Sequence, residues 1–184
     1  MSSAENIMST SIISVSPEQK IEEVVELLYN HNICALPVVN EKNQVSGIIS
    51  ALDIEKYCQE IHPVTVDELD KWSSPYNDTR LNRIEIAIDL LFSIVEYRLD
   101  RGVELLFNTK VEKVMDRNVI TVKRDTEVEK IVNLMRKHKS SRVLVVDHNY
   151  YLEGIITRSN ILSYLAHKMI AIKTKEGTLS KVIE

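Results

Sequence analysis

Apolar and polar positions follow one order along this chain, and they follow it twice. A β-branched run, Ile12-Ile13-Ser14-Val15, precedes Ile21, Val24, Val25 and Leu28 at three- and four-residue spacing. Two short apolar runs come next, Ala35 to Val39 and Val45 to Ser50, parted by the polar Asn40-Glu41-Lys42-Asn43. Alternation suits a strand, the wider spacing an inward helix stripe, and apolar runs about a polar turn a hairpin. The series returns as Val119 to Val122, then Val128, Ile131, Val132 and Met135, then Arg142 to Val146 and Leu152 to Thr157 about Asp147-His148-Asn149. Ser16 as N-cap, Pro17 at the first helical position and Gln19 completing a capping box predict where the first helix starts. A closing helix is expected from near Ala51 and from near Arg158, so the predicted order is βαββα, twice.

The copies superimpose without a gap at the offset that sets Gly47 on Gly154. Met8 then meets Met115, His31 meets His138, Ile48 and Ile49 meet Ile155 and Ile156, and Tyr57 meets Tyr164. A unit of about fifty residues buries too little apolar surface to offset its chain entropy comfortably. Two such units are therefore expected to pack with pseudo-two-fold symmetry as one α+β whole, with function in the groove between them.

Between the copies lies an insert. Its first part, from His62 to Asp78, holds Pro63, Trp72 and the Ser73-Ser74-Pro75 break and reads as irregular. From Thr79 onward Leu81, Ile84, Ile88, Leu91 and Val95 alternate threes and fours, the mark of a narrow apolar seam on a long helix, with Leu105, Leu106 and Phe107 as its cap. The stretch from Lys173 is polar apart from Leu179, Val182 and Ile183 and reads as a frayed tail. The boundaries so drawn are 1–60, 61–112, 113–168 and 169–184.

Composition narrows the function classes. With 184 residues, 44% apolar content and a net charge of −4, the chain has a globular make-up and lacks the basic field of a non-specific nucleic-acid binder. No apolar run approaches the roughly 20 residues that span a bilayer. Glu5 and the missing basic-then-apolar block do not read as a secretion signal, so the expected compartment is the cytoplasm. Cys34 and Cys58 are expected to be buried or half-buried free thiols without metal-ligand spacing. Four glycines leave no Walker loop and no dinucleotide fingerprint.

The chemistry that remains lies where each hairpin runs into its closing helix, GIISALDI (Gly47 to Ile54) and GIITRSNI (Gly154 to Ile161). Two accounts stand. In one, Ser50 or Thr157 N-caps the helix and Asp53 or Asn160 sits favourably at its positive end. In the other, the free amides of that helix end attract an oxygen-rich ligand, and a carboxylate accepts hydrogen bonds from both hydroxyls of a ribose diol. Asparagine accepts one and donates one, so the Asp53 site is expected to hold a ribose more firmly than the Asn160 site. His31 and His138, at equivalent helix ends, read as C-terminal helix residues.

These features together, with "IMSTSIISVSP" and "VMDRNVITVKR" as openings, "ALPVVN" and "RVLVVD" as middle strands and the two GII(S/T)xx(D/N)I closings, resemble a tandem pair of cystathionine-β-synthase (CBS) domains, a Bateman module. The resemblance covers both repeats and not the insert. It implies a ligand-binding regulatory module in which AMP, ADP, ATP or S-adenosylmethionine occupies two composite clefts, and assembly as a homodimer. It further implies that Ser50 and Asp53 join Ile120, Ser140 and Ser141 in one cleft, and Thr157 and Asn160 join Ile13, Ile33, Cys34 and Ala35 in the other. Ile13, Ile33, Ile48, Ile120 and Ile155 would wall an adenine. Arg142 stands where some members place a basic phosphate ligand, with Arg158 and Lys123 as weaker candidates. Asp116 stands where the opening motif usually has threonine or serine, and would repel a phosphate unless Mg²⁺ bridges the two.

The function expected is a non-catalytic module that needs no cofactor, senses an adenine nucleotide or adenosyl ligand and relays its state to a regulated partner. The rival from another class is a structural dimerisation or scaffold protein whose clefts are filled by its own side chains. Enzymatic turnover of a nucleotide has little support, because no nucleophile–base pair or metal cluster is visible by spacing. Membrane and nucleic-acid partners are not expected.

Overall fold

The computed structural model describes residues 2–61 and 102–175, so the expected seam from Leu81 to Val95 and the irregular stretch before it lie outside the described residues. The fold is α+β and built from two copies of one pattern. In the first copy, α1 (Ile21–Asn30), β1 (Ala35–Val39), β2 (Val45–Ser50) and α2 (Ala51–Ile61) follow one another. After α3 (Gly102–Asn108) and the single turn α4 (Val111–Val114), the second copy runs through β3 (Thr121–Val122), α5 (Val128–Lys137), β4 (Arg142–Val146), β5 (Leu152–Thr157) and α6 (Arg158–Lys175).

Each hairpin is antiparallel, Ala35 opposite Ser50 and Arg142 opposite Thr157, and each slips register by one place, at Val38/Val39 and at Val145/Val146. An Asx turn closes both: Asn40 Oδ1 accepts from the Lys42 and Gln44 amides, and Asp147 Oδ1 from those of Asn149 and Tyr151. The left-handed residues also recur at the repeat offset, Asn32 and Lys139 after the first helices, Asn43 and Tyr150 in the turns. In the second copy β3 pairs in parallel with β4. In the first, the corresponding run contributes one parallel bridge, Val15 to Val38.

The first helix does not start at Pro17. Ser16 and Gln19 do bond, the Ser16 amide to Gln19 Oε1 at 2.7 Å, but α1 begins at Ile21, with Glu23 Oε1 accepting from the Lys20 amide at 3.0 Å. Long-range pairing outcompetes the local signal here. The Pro17 and Gln19 carbonyls accept from the Glu112 and Val111 amides, and the Ile21 amide donates to the Thr109 carbonyl. Residues 17–18 are thereby held in a turn, and Lys20 bridges Lys110 before the helix can begin. Inward stripes form as expected from Ile21, Val24 and Leu28 and from Val128, Ile131 and Met135, whereas Val132 is 40% exposed.

Two compact units result, one of residues 13–118 and one of residues 1–12 with 119–184. The opening segment of the chain thus belongs to the unit of the second hairpin. Ala4 is fully buried there, with its amide on the Thr126 carbonyl, and Ser9 exchanges backbone hydrogen bonds with Ile155 at 2.9 and 3.0 Å. The segment leading into the second copy does the same for the first hairpin, where Asp116 and Ile48 exchange bonds at 2.9 Å each. Leu106, at 2% exposure, joins the core of the 13–118 unit with Val111 and Met115, and Phe107 packs against it, while Leu105 is exposed.

The second closing helix runs through Lys175, past Lys173, where a tail was expected to begin, because no glycine or proline interrupts 158–175. Its Leu162, Leu165, Met169 and Ile172 are all at least half exposed.

Glycine is required where the opening segments cross the hairpins. A Cβ on Gly47 would lie 2.9 Å from both the Asp116 carbonyl oxygen and Met115 Sδ; on Gly154 it would lie 2.6 Å from Met8 Sδ. At Gly47 backbone must yield, whereas at Gly154 a flexible thioether meets the methyl first. Gly47→Ala is therefore expected to cost about 1–3 kcal/mol of unfolding free energy, the usual range for overpacking, and Gly154→Ala less. Urea unfolding of the two variants checks the order.

Candidate functional site

Ser50 ends β2 and Ala51 begins α2 with no residue between, so the strand delivers its last side chain onto the first turn of the helix. Asp53 bends back toward it. Its Oδ2 accepts from the Ser50 amide at 2.9 Å and from the Ser50 hydroxyl at 2.5 Å, a charge-assisted bond. The hydroxyl is a donor to the carboxylate, and it is the residue in the first turn that caps the strand end. This reverses the polarity expected for a serine N-cap. Both bonds fall on Oδ2, and a carboxylate accepts about four, so Oδ1 keeps its capacity for donors such as a sugar diol. Both residues are half-buried at the positive end of α2.

The equivalent place at β5 and α6 is built alike and finished differently. Asn160 Oδ1 accepts from the Thr157 amide at 2.8 Å and from Thr157 Oγ1 at 2.7 Å. Its Nδ2 then donates to Ser9 Oγ at 3.1 Å. Ser9 did not figure among the candidates. The repeat offset that sets Asp53 on Asn160 also sets Ser9 on Asp116, and that pairing was the available signal.

The remaining candidates fall into place unit by unit. In the 13–118 unit the Cys34 carbonyl accepts from the first amide of α2, that of Ala51, at 3.3 Å, Ala35 faces Ser50 across the hairpin, and Ile13 and Ile33 pack half-buried against the core. In the other unit the Ser141 carbonyl accepts from the Arg158 amide at 3.2 Å, and Arg142 faces Thr157. Ser140 Oγ is spent on the Arg142 backbone, donating to its carbonyl at 2.7 Å and accepting from its amide at 3.3 Å. The Ile120 carbonyl accepts from the Leu144 amide at 3.0 Å. Each expected composite cleft draws on residues of both units.

Other candidates have structural roles. Lys123 Nζ donates to the Asp147 carbonyl and lies 5.2 Å from the centre of the Tyr150 ring, bracing the turn. Arg158 is exposed at the start of α6. His31 and His138 are the C-cap residues of α1 and α5, as their positions implied. Among the described residues no group of three or more His, Cys, Asp or Glu side chains is placed to hold a metal ion, and no helix is long and apolar enough to cross a membrane. Surface depressions of about 310 and 290 Å³ lie along α5 and share no residue with either helix N-terminus just described.

The sequence matches the CBS domain family at residues 4–60 and 111–167. Among curated relatives, the uncharacterized protein MJ1426 of Methanocaldococcus jannaschii is 31% identical over 160 residues, 87% of this chain and 89% of that one. A homoserine O-acetyltransferase of Methanococcus vannielii is 27% identical over 85% of this chain but only 23% of its own length, so this chain spans under a quarter of that enzyme. Two solved structures share the fold: CBSX2 in complex with AMP (TM-score 0.62, 18% identity, 92% of this chain and 99% of that one) and the CBS domain pair of MJ0100 in complex with 5′-methylthioadenosine and S-adenosyl-L-methionine (TM-score 0.61, 24% identity, 91% and 98%).

The two thiols differ from each other. Cys34 is exposed rather than buried or half-buried, at the place where its carbonyl accepts from the first amide of α2. Cys58 is in the core, where burial, and secondarily the Glu55 carboxylate, push its thiol up to about 11. At pH 9 the native protein should lose one thiol quickly to a thiol-specific reagent and the second only on unfolding. Mass mapping should place the fast label on Cys34.

Proposed function

Because this chain belongs to the CBS-domain family, we propose that it is a regulatory module that binds an adenine nucleotide or adenosyl ligand and passes the bound state to a partner protein. The observation that carries this reading is Asp53. Its carboxylate is anchored through one oxygen by Ser50 at the positive end of α2, with acceptor capacity left on the other for a ribose diol. The similar CBS pairs in complex with AMP and with S-adenosyl-L-methionine support the ligand class. Grouping Ser50 and Asp53 with Ile120, Ser140 and Ser141, and Thr157 and Asn160 with Ile13, Ile33, Cys34 and Ala35, is part of the proposal. So is Arg142 as a phosphate ligand in a nucleotide complex.

The role proposed is non-catalytic. The enzymes among the relatives are multi-domain chains that this one matches over 11–26% of their length, in keeping with a regulatory part rather than a catalytic one. A homodimer, a cytoplasmic location and a Mg²⁺ bridge to a phosphate belong to the same reading. Ligand acts on the partner only through a difference in affinity between two arrangements, each tenfold preference being about 1.4 kcal/mol.

A specific observation favours the scaffold reading at the second site. The Asn160 side chain is bonded on both sides, to Thr157 and to Ser9, so the protein's own groups fill the places a sugar would take. The two readings therefore divide between the sites, with ligand at Asp53 and structure at Asn160.

Isothermal titration with AMP, ATP, S-adenosylmethionine and 5′-methylthioadenosine tests this. Asp53→Ala should weaken the ligand that binds by about 1.5–3 kcal/mol, the worth of hydrogen bonds to a charged acceptor. Asn160→Ala should lower the thermal midpoint and leave affinity nearly unchanged. Equal losses of affinity at both positions would contradict the division, and no heat or thermal shift with any of the four would leave the scaffold.

A further inference from the structure

The same backbone device carries opposite side-chain chemistry in the two units. Ser9 and Asp116 occupy one place, each exchanging two backbone hydrogen bonds with the residue after a glycine, Ile155 and Ile48. Asn160 and Asp53 likewise occupy one place in the first turn of the closing helix. Where the pair is serine and asparagine, a donor meets an acceptor and the side chains bond at 3.1 Å. Where it is Asp116 and Asp53, two carboxylates offer each other acceptors only, and that bond has no counterpart.

Each carboxylate is also fixed from behind. Asp116 Oδ1 accepts from the Asn118 amide at 2.8 Å, and Asp53 Oδ2 accepts twice from Ser50. Of the cations nearest in sequence, Arg117 turns its Nη2 to the Glu112 carbonyl at 3.3 Å, and Lys56, Lys113 and Arg117 are all exposed, where water screens their charge. The helices extend the contrast. From Ala51 to Ile61 there are Asp53, Glu55 and Glu60 against Lys56, whereas Arg158 to Lys175 holds Arg158, Lys168, Lys173 and Lys175 and no acid.

We propose that Asp116 makes the Asp53 site selective for adenosyl ligands whose 5′ substituent is uncharged or cationic, a thioether or a sulfonium, over nucleoside phosphates. This rests on the reading of Asp53 as the ribose acceptor. A group on C5′ of a ribose held there stays within the roughly 8 Å over which charge is felt at physiological salt. A phosphate meets two negative charges there against the single cationic side chain, Arg142, proposed for it; a thioether meets no penalty, and a sulfonium is attracted.

Calorimetry on the full chain with AMP, 5′-methylthioadenosine and S-adenosylmethionine tests the proposal, in the starting protein, in Asp116→Asn and in Asp53→Ala. Binding that survives Asp53→Ala is assigned elsewhere and subtracted. The expected order is S-adenosylmethionine and 5′-methylthioadenosine at least tenfold tighter than AMP, with the gap narrowing as salt is raised. Asp116→Asn, with its melting temperature checked, should strengthen AMP about tenfold, weaken S-adenosylmethionine and leave 5′-methylthioadenosine within twofold. AMP binding as tightly as 5′-methylthioadenosine, or an AMP to S-adenosylmethionine ratio unmoved by Asp116→Asn, overturns the charge selection while leaving Asp53 as a ribose site. If none of the three binds in an Asp53-dependent way, the site reading fails and this inference fails with it.

Discussion

The exchange of backbone hydrogen bonds between a hairpin edge and a segment from elsewhere in the chain is the contact on which the rest depends. An edge strand presents unpaired amides and carbonyls, and β2 and β5 are each the outer strand of their sheet. Asp116 on Ile48 and Ser9 on Ile155 satisfy part of that edge directly before the helix N-terminus that carries the candidate site. The approach is close because the preceding residue is glycine, and methionine, long and unbranched, fills the space where a Cβ would stand. One contact thus seals the edge, anchors the incoming segment and sets which side chain accompanies Asp53 or Asn160.

That contact also explains how the units are composed. The residues that open each repeat in sequence serve the hairpin of the other repeat, so 2–12 belong with 119–175, and 102–118 with the first hairpin. Tandem copies make such an exchange inexpensive, since an opening segment meets an equivalent glycine and an equivalent edge in either copy. The unit with the first hairpin is continuous in sequence. The other is assembled from two separated stretches.

Periodicity made most of the elements legible before any coordinates. The two hairpins, the inward stripes of α1 and α5 and the direct passage from strand to closing helix all depend on local patterns of apolar residues, and local patterns are what sequence displays. The start of α1 was misread because Pro17 and Ser16 carry a strong local signal that a nonlocal partner, residues 109–112, overrides. The left-handed residues were invisible for a different reason. Asn32 and Asn43 are ordinary occupants of that conformation, but Lys139 and Tyr150 adopt it only because the repeat architecture demands it at the same offset. At the site, the Ser50–Asp53 pairing was readable from spacing, whereas the direction of its hydrogen bonds and the part played by Ser9 required the fold.

Duplication lets one copy of a site change while the other keeps its work, and the two helix ends record such a division in their hydrogen-bond inventories. Replacing a carboxylate by an amide at position 160 supplies a donor, and serine at position 9 supplies the acceptor that uses it. The reverse pair leaves acceptors only, which cannot satisfy one another and must look outward for donors. Asp53 is half-buried and Asp116 exposed, so water can satisfy their acceptors as a ligand would, and the acidic site costs the fold little when empty. On the proposed reading of Asp53 as the ribose acceptor, selectivity comes from what the site repels: an acceptor-only mouth with two negative charges would discriminate by the charge of what hangs from the sugar, a property that neither carboxylate would confer alone.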